Sequence, residues 1–190
     1  RADQASLVAG MAHEMLIADE TRRALEEATA ASGDFAAETN IRETRRAFDR
    51  AYRVPTELVK EIAHASTLAK DAWAEARKND RFADFAPHLE KLVSLKKRVA
   101  ECIGYTTEPY DALMDEFEPG ARAAEIARVF GELKEATVDL LRRVAASRRK
   151  PDRAIINGQF PKEKQATLCQ AVARALQFDF EAGRLDVSVH

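Results

Sequence analysis

Hydrolytic metal sites on helices are often built on His-Glu-x-x-His. It sets two imidazoles one turn apart on one face and adds a carboxylate as base for metal-bound water. His13-Glu14 opens that pattern, but Ile17 stands where the second His is required. The four histidines are His13, His64, His88 and His190, and no two are four residues apart. Catalytic zinc needs at least three converging protein ligands, so the chain is expected to hold no complete metal site. Gly-x-Ser-x-Gly and a Gly-rich phosphate loop are both absent. Nucleophile-elbow and P-loop chemistry therefore have no support.

Two charged clusters remain. Asp111, Asp115, Glu116 and Glu118 gather near a turn. They suit capping and ion pairing, with metal or substrate contact as the alternative use. Arg142, Arg143, Arg148, Arg149, Lys150 and Arg153, against Asp152 alone, form the one basic patch evident in the sequence, with a net charge of +5. No aromatic residues interleave with it, as a nucleic-acid surface would want. A solvated helix end favoured by the helix dipole is expected there, and an anion-attracting loop is the other reading. Cys102 and Cys169 are too few for a disulfide framework and fit a reducing, cytoplasmic setting. Both fall on apolar helix faces and are expected to be buried and inert.

The elements that would position these groups read as amphipathic helices. The first spans roughly 5–17, with Leu7, Val8, Met11 and Met15 on one side. Asp19 is placed to cap a second, running to about Ala31, and Asp34 a third, with Ile41, Phe48 and Tyr52 on its stripe. Val54-Pro55 starts a fourth, whose Leu58, Ile62, Ala65, Ala69, Ala72 and Ala76 would let a neighbour approach closely. Pro87 is expected to open the fifth, with Leu89, Leu92, Val93, Val99, Cys102 and Ile103 inward and Gly104 as its terminator. Residues 105–120 read as mixed. A sixth helix carries Ile126, Phe130, Leu133, Leu140 and Val144, and a seventh follows Pro161. Leu185, Val187 and Val189 then alternate with polar residues, the signature of a half-buried strand. The expected class is all-α: about seven amphipathic helices and a short β-strand at the C-terminal end.

Composition agrees. Of 190 residues, 46% are hydrophobic and 33% charged, with only 7 Gly and 6 Pro, a mixture that favours helix over disorder. The net charge of −2 gives no general attraction to nucleic acid or membrane. No apolar run approaches the ~20 residues of a membrane span, and Asp3 and His13-Glu14 interrupt any signal-peptide layout.

Longer stretches are more specific. Phe85-Ala86-Pro87-His88-Leu89-Glu90-Lys91-Leu92-Val93 is one, and Tyr110-Asp111-Ala112-Leu113-Met114-Asp115-Glu116-Phe117-Glu118-Pro119-Gly120 a second. Phe160-Pro161 with Gln165 and Cys169 follows, and then the run from Phe178-Asp179-Phe180 through Arg184-Leu185-Asp186-Val187-Ser188-Val189-His190. Together they resemble the carboxypeptidase Taq family of thermostable metallocarboxypeptidases.

The resemblance implies a mostly helical enzyme, typically a homodimer, that removes C-terminal residues from peptides with zinc or cobalt. Its N-terminal helices would form a lid-like wall over a deep groove. The family's hallmarks include His-Pro-Phe, Asp-x-Arg-x-Thr and His-Glu-x-x-His. Only His190 matches one of them, as the His of His-Pro-Phe, where it would line the substrate site of the complete enzyme. In the chain alone a functionless end is expected of it. Residues 1–190 are thus expected to be the N-terminal helical region of a longer metallocarboxypeptidase, without its catalytic metal-binding region and inactive by themselves. The alternative is a stand-alone helical interaction module derived from that family.

Overall fold

The computed structural model describes residues 1–31 and 33–188. Among these, eight α-helices follow one another: α1 Ala2–Leu16, α2 Asp19–Glu27, α3 Phe35–Tyr52, α4 Thr56–Lys78, α5 Phe82–Ile103, α6 Pro109–Met114, α7 Ala123–Ala146 and α8 Lys162–Ala175. The helix not expected from the sequence is α6, a six-residue turn opened by Pro109 inside the mixed segment. The chain divides into two compact units, Arg1–Gly131 and Glu132–His190, and the division falls within α7.

The first unit holds the core. Helix α4 packs against α1 on one side and α5 on the other, and α5 carries α6. Val54, Leu58, Leu95 and Val99 form the buried cluster, with Ile62, Ala65, Cys102, Ile103 and Leu113 packed around it. Ala69, Ala76 and Ala100 are buried as well, so small side chains do bring these helices close together. At the surface, the Glu61 carboxylate of α4 accepts from Lys91 and Arg98 of α5, and the Lys91 and Arg98 bonds hold its pKa below the usual carboxylate value.

Helix ends follow local chemistry. Asp34 accepts from the Ala37 N–H at 2.9 Å and caps α3, as its position predicts. Asp19 does not cap α2. It lies inside the first turn, where it pairs with Arg22. Helix α2 ends at Glu27, earlier than expected. Gly104 ends α5 at φ 84° and ψ 150°, a conformation essentially reserved for glycine. Pro87 does not open α5, which begins at Phe82. A proline so near a helix start removes one backbone bond. The turn before it is held by the Arg81–Asp84 ion pair and by edge-to-face contact of Phe82 and Phe85.

Helix α1 packs by an unexpected face. Leu7, Val8, Met11 and Met15 are 54–72% exposed, while Gly10 and His13 are buried. Three pins hold the inward face to α4. The Ser6 hydroxyl donates to the Lys60 carbonyl at 3.0 Å. Gly10 leaves room for the Lys60 stem, where an added Cβ would meet its Cε at 2.3 Å. His13 Nε2 donates to the Ala51 carbonyl at 3.1 Å, so Nδ1 accepts from the Thr56 hydroxyl at 3.0 Å. One ring thereby ties α1 to the end of α3 and the start of α4. His13→Ala should cost about 2 kcal/mol, from the loss of two hydrogen bonds at about 1 kcal/mol each, while the Ala51 carbonyl keeps its bond from the Val54 N–H. Urea unfolding would measure it, and an unchanged midpoint would show the ring to be idle.

No residue of α7 or α8 is fully buried. The alternating segment at the end forms no strand over residues 185–188, and 189 and 190 lie outside the described residues. Alternation sets the faces of a strand, but a ladder needs a second extended segment, and none occurs among the described residues.

Candidate functional site

The acidic cluster is a clamp. Asp111 Oδ1 accepts from the Ala123 N–H at 2.7 Å and caps the start of α7. Asp115 Oδ1 accepts from the Gly120 N–H at 2.9 Å, and its Oδ2 accepts from Arg46 at 2.8 Å. Arg46 also donates to the Asp115 backbone carbonyl. Arg50 lies 3.7 Å from Asp115 and 3.8 Å from Glu116. Glu118 joins through its backbone, accepting from the Ala121 N–H. The four carboxyl residues thus fold one turn and lock it onto α3, as capping and ion pairing would.

The Gly120 N–H first, and then the Arg46 guanidinium, hold the Asp115 carboxyl below its usual pKa. A depressed pKa contributes stability that is complete above the unfolded value, 3.8, and is lost as pH falls through the lower folded value. Asp115 is over a third exposed, so solvent screens part of the effect. Asp115→Ala should therefore cost about 1–2 kcal/mol at pH 7, with the gap to wild type closing below pH 3.8. Circular dichroism against urea at several pH values would test this, and a gap independent of pH would refute it.

Beside the clamp lies a groove of about 340 Å³ along α3, lined by Arg42, Arg45, Arg46, Arg50 and Arg53 with Asp49 and Asp115. The sequence hides this concentration. Glu43 and Asp49 dilute the charge of the run, and only the turn of the helix gathers the arginines on one side. The sequence-evident patch at 142–153 is arranged differently. Lys150 Nζ donates to the Ala145 carbonyl at 2.7 Å, at the end of α7, and Arg143 lies 3.9 Å from Asp139. That is the helix-end arrangement its dipole favours.

The three described histidines do not converge on one site. His13 is sealed between helices, and His64 Nε2 lies 3.3 Å from Asp3 Oδ1 at the surface. His88 sits on α5, and His190 lies outside the described residues. Among the described residues no group of three or more His, Cys, Asp or Glu could hold a metal ion. Cys102 is half-buried against the core, but Cys169 is exposed, contrary to expectation. It lines a groove of about 530 Å³ between α8 and residues 185–188. No residue on the apolar side of α8 is buried by the described residues. No helix among the described residues is long and apolar enough to cross a membrane.

Comparison with known proteins is consistent across sequence and structure. Residues 1–190 match the family model Carboxypeptidase Taq (M32) metallopeptidase. The chain is 40% identical over 146 residues to carboxypeptidase 1 of Bacillus subtilis, taking in 77% of this chain and 29% of that protein. It is 38% identical over 164 residues to thermostable carboxypeptidase 1 of Thermus thermophilus, taking in 81% of this chain and 32% of that protein. The crystal structure of BsuCP matches with a TM-score of 0.85 at 32% identity, over 97% of this chain and 38% of that one. Pyrococcus furiosus carboxypeptidase in its apo-Mg form matches with a TM-score of 0.75 at 30% identity, over 95% and 37%. The chain spans less than one third of the length of the curated relatives it matches. Because the family match runs over residues 1–190, the whole of this chain, the chain belongs to the carboxypeptidase Taq family of metallopeptidases.

Proposed function

We propose that residues 1–190 are the N-terminal, lid-like helical region of a longer metal-dependent carboxypeptidase that releases C-terminal amino acids from peptides. The observation that carries this is the match to the family over the whole chain, joined to coverage of less than one third of its relatives. The metal, zinc or cobalt, would polarise the scissile carbonyl and activate water. The described residues do not fit it, since they bring no ligand set together, and no step of the hydrolysis is assigned to them. Their part is to form a wall beside the substrate groove, with His190 lining that groove in the longer protein. The uncovered apolar sides of α7 and α8 support packing against the remaining polypeptide. Residues 185–188 would find a partner strand there. The enzyme is read as a cytoplasmic homodimer acting on peptides, with no role for nucleic acid or membrane.

A second reading has one observation in its favour. The exposed stripe Leu7, Val8, Met11 and Met15 would serve a stand-alone interaction module. One experiment separates the two. A polypeptide continuing past residue 190 is purified and assayed for amino-acid release from a peptide, with chelator and then with zinc or cobalt restored. Release that stops with chelator and returns with metal is expected. A folded polypeptide that releases nothing in any arm would favour the module.

A further inference from the structure

We propose that the arginine groove on α3 binds a small multivalent anion of the diphosphate type. This assignment stands apart from the carboxypeptidase reading and uses none of its residues.

The groove begins with spacing. Arg42, Arg45, Arg46, Arg50 and Arg53 fall within an arc of about 140° on a helix that turns 100° per residue. A run of twelve residues thereby delivers five guanidinium groups to one side of α3. Like charges so close repel unless something compensates them.

Compensation is uneven along the groove. Asp115 serves Arg46 and Arg50, and Arg42 pairs with the adjacent Glu43 at 2.9 Å. Arg45 and Arg53 pair with no carboxylate among the described residues. Arg45 donates to the Leu25 carbonyl at 2.6 Å and Arg53 to the Ile103 carbonyl at 2.8 Å. A carbonyl satisfies one donor but neutralises no charge. The groove's other carboxylate, Asp49, makes no ion pair among the described residues. The seven charged residues that line this open cavity of about 340 Å³ therefore carry a net charge of +3, in a chain whose overall charge is −2.

The carbonyl bonds matter for a second reason. They fix where Arg45 and Arg53 point before any ligand arrives, which lowers the ordering cost of binding. Each guanidinium has five N–H donors in a planar fork, and the carbonyl bond occupies one of them. The remaining donors match the oxygens of a phosphate group. A single carboxylate would leave part of the positive charge unmatched, whereas a diphosphate brings several negative charges and more acceptor oxygens to the guanidinium groups that line the groove.

The test is calorimetric titration of the 190-residue chain with inorganic pyrophosphate, repeated with ADP. Arg45→Gln/Arg53→Gln removes the two arginines that pair with no carboxylate among the described residues and leaves the clamp arginines Arg46 and Arg50 in place. Arg148→Gln/Arg149→Gln removes equal charge from the other basic stretch. One site per chain is expected, weakened at least about tenfold by the first double variant and less than about twofold by the second. Similar affinity for pyrophosphate and ADP would assign the groove to a free diphosphate, and tighter ADP to a nucleotide; both support the proposal. Absence of saturable pyrophosphate and ADP binding to the wild-type chain would overturn it. So would equal losses in the two double variants, since that is general charge attraction. If the first double variant fails to fold, Arg42→Gln, at an exposed position, should still weaken binding about threefold, and unchanged affinity there would also overturn the proposal.

Discussion

Leu95→Ala should lower the unfolding free energy of the first unit by about 3 kcal/mol, within the range seen for buried leucines. Leu95 is 1% exposed and is the largest fully buried side chain among the described residues. It sits in the cluster with Leu58 of α4 and Val54 and Val99 to either side in sequence. Truncation loses the transfer energy of the removed carbons and leaves a cavity. The cavity cannot close easily, because Leu58 and Val99 are anchored on two long helices and Ala100 is already fully buried with only a methyl group to offer. Val93→Ala on the same helix, at a site 47% exposed, should cost no more than about 0.5 kcal/mol. Chemical denaturation of both variants gives the comparison. Equal losses would mean that the α4–α5 seam is not the core of the unit.

The second large effect concerns activity. The 190-residue chain alone should release C-terminal residues at least about 10⁶-fold more slowly than a polypeptide carrying the whole metal site, the lower end of what enzymes gain over uncatalysed reactions. His13 has both ring nitrogens engaged by Thr56 and Ala51, and His64 and His88 join no cluster that could bind metal. Peptide release measured with and without added zinc should stay at background. Chelator-sensitive turnover by the pure chain would show that a metal site forms from these residues after all.

Much of the helical order is legible in the sequence because its signals are local. Asp34 caps α3 through a single side-chain bond, and Gly104 stops α5 because other residues resist its backbone conformation. The faces were harder to read. On α5 the run Leu89, Leu92 and Val93 suggests a stripe, yet the deepest large side chain is Leu95, flanked by Ser94 and Lys96. Contact with α4 selects Leu95 and Val99, and no property of α5 alone expresses that choice. On α1 the apolar residues point outward, because the partner helix offers a carbonyl, a hydroxyl and a lysine stem. The segment at 185–188 alternates correctly for a strand, but pairing is a property of two segments. The acidic cluster was readable as caps and ion pairs from its turn. The arginine groove was not, since its five arginines are spread over twelve residues and only the turn of the helix gathers them.

The way α1 is attached has a consequence for its position along α4. An interface of interchangeable methyl groups can slip by a turn and recover most of its contacts. Ser6, Gly10 and His13 each meet a different chemical partner, a carbonyl, a lysine stem and a hydroxyl–carbonyl pair. A shift of one turn, about 5.4 Å, would break all three together and supply no substitute. Helix α1 is therefore keyed as a tooth in a single notch, and Leu7, Val8, Met11 and Met15 are displayed at one fixed height relative to the core.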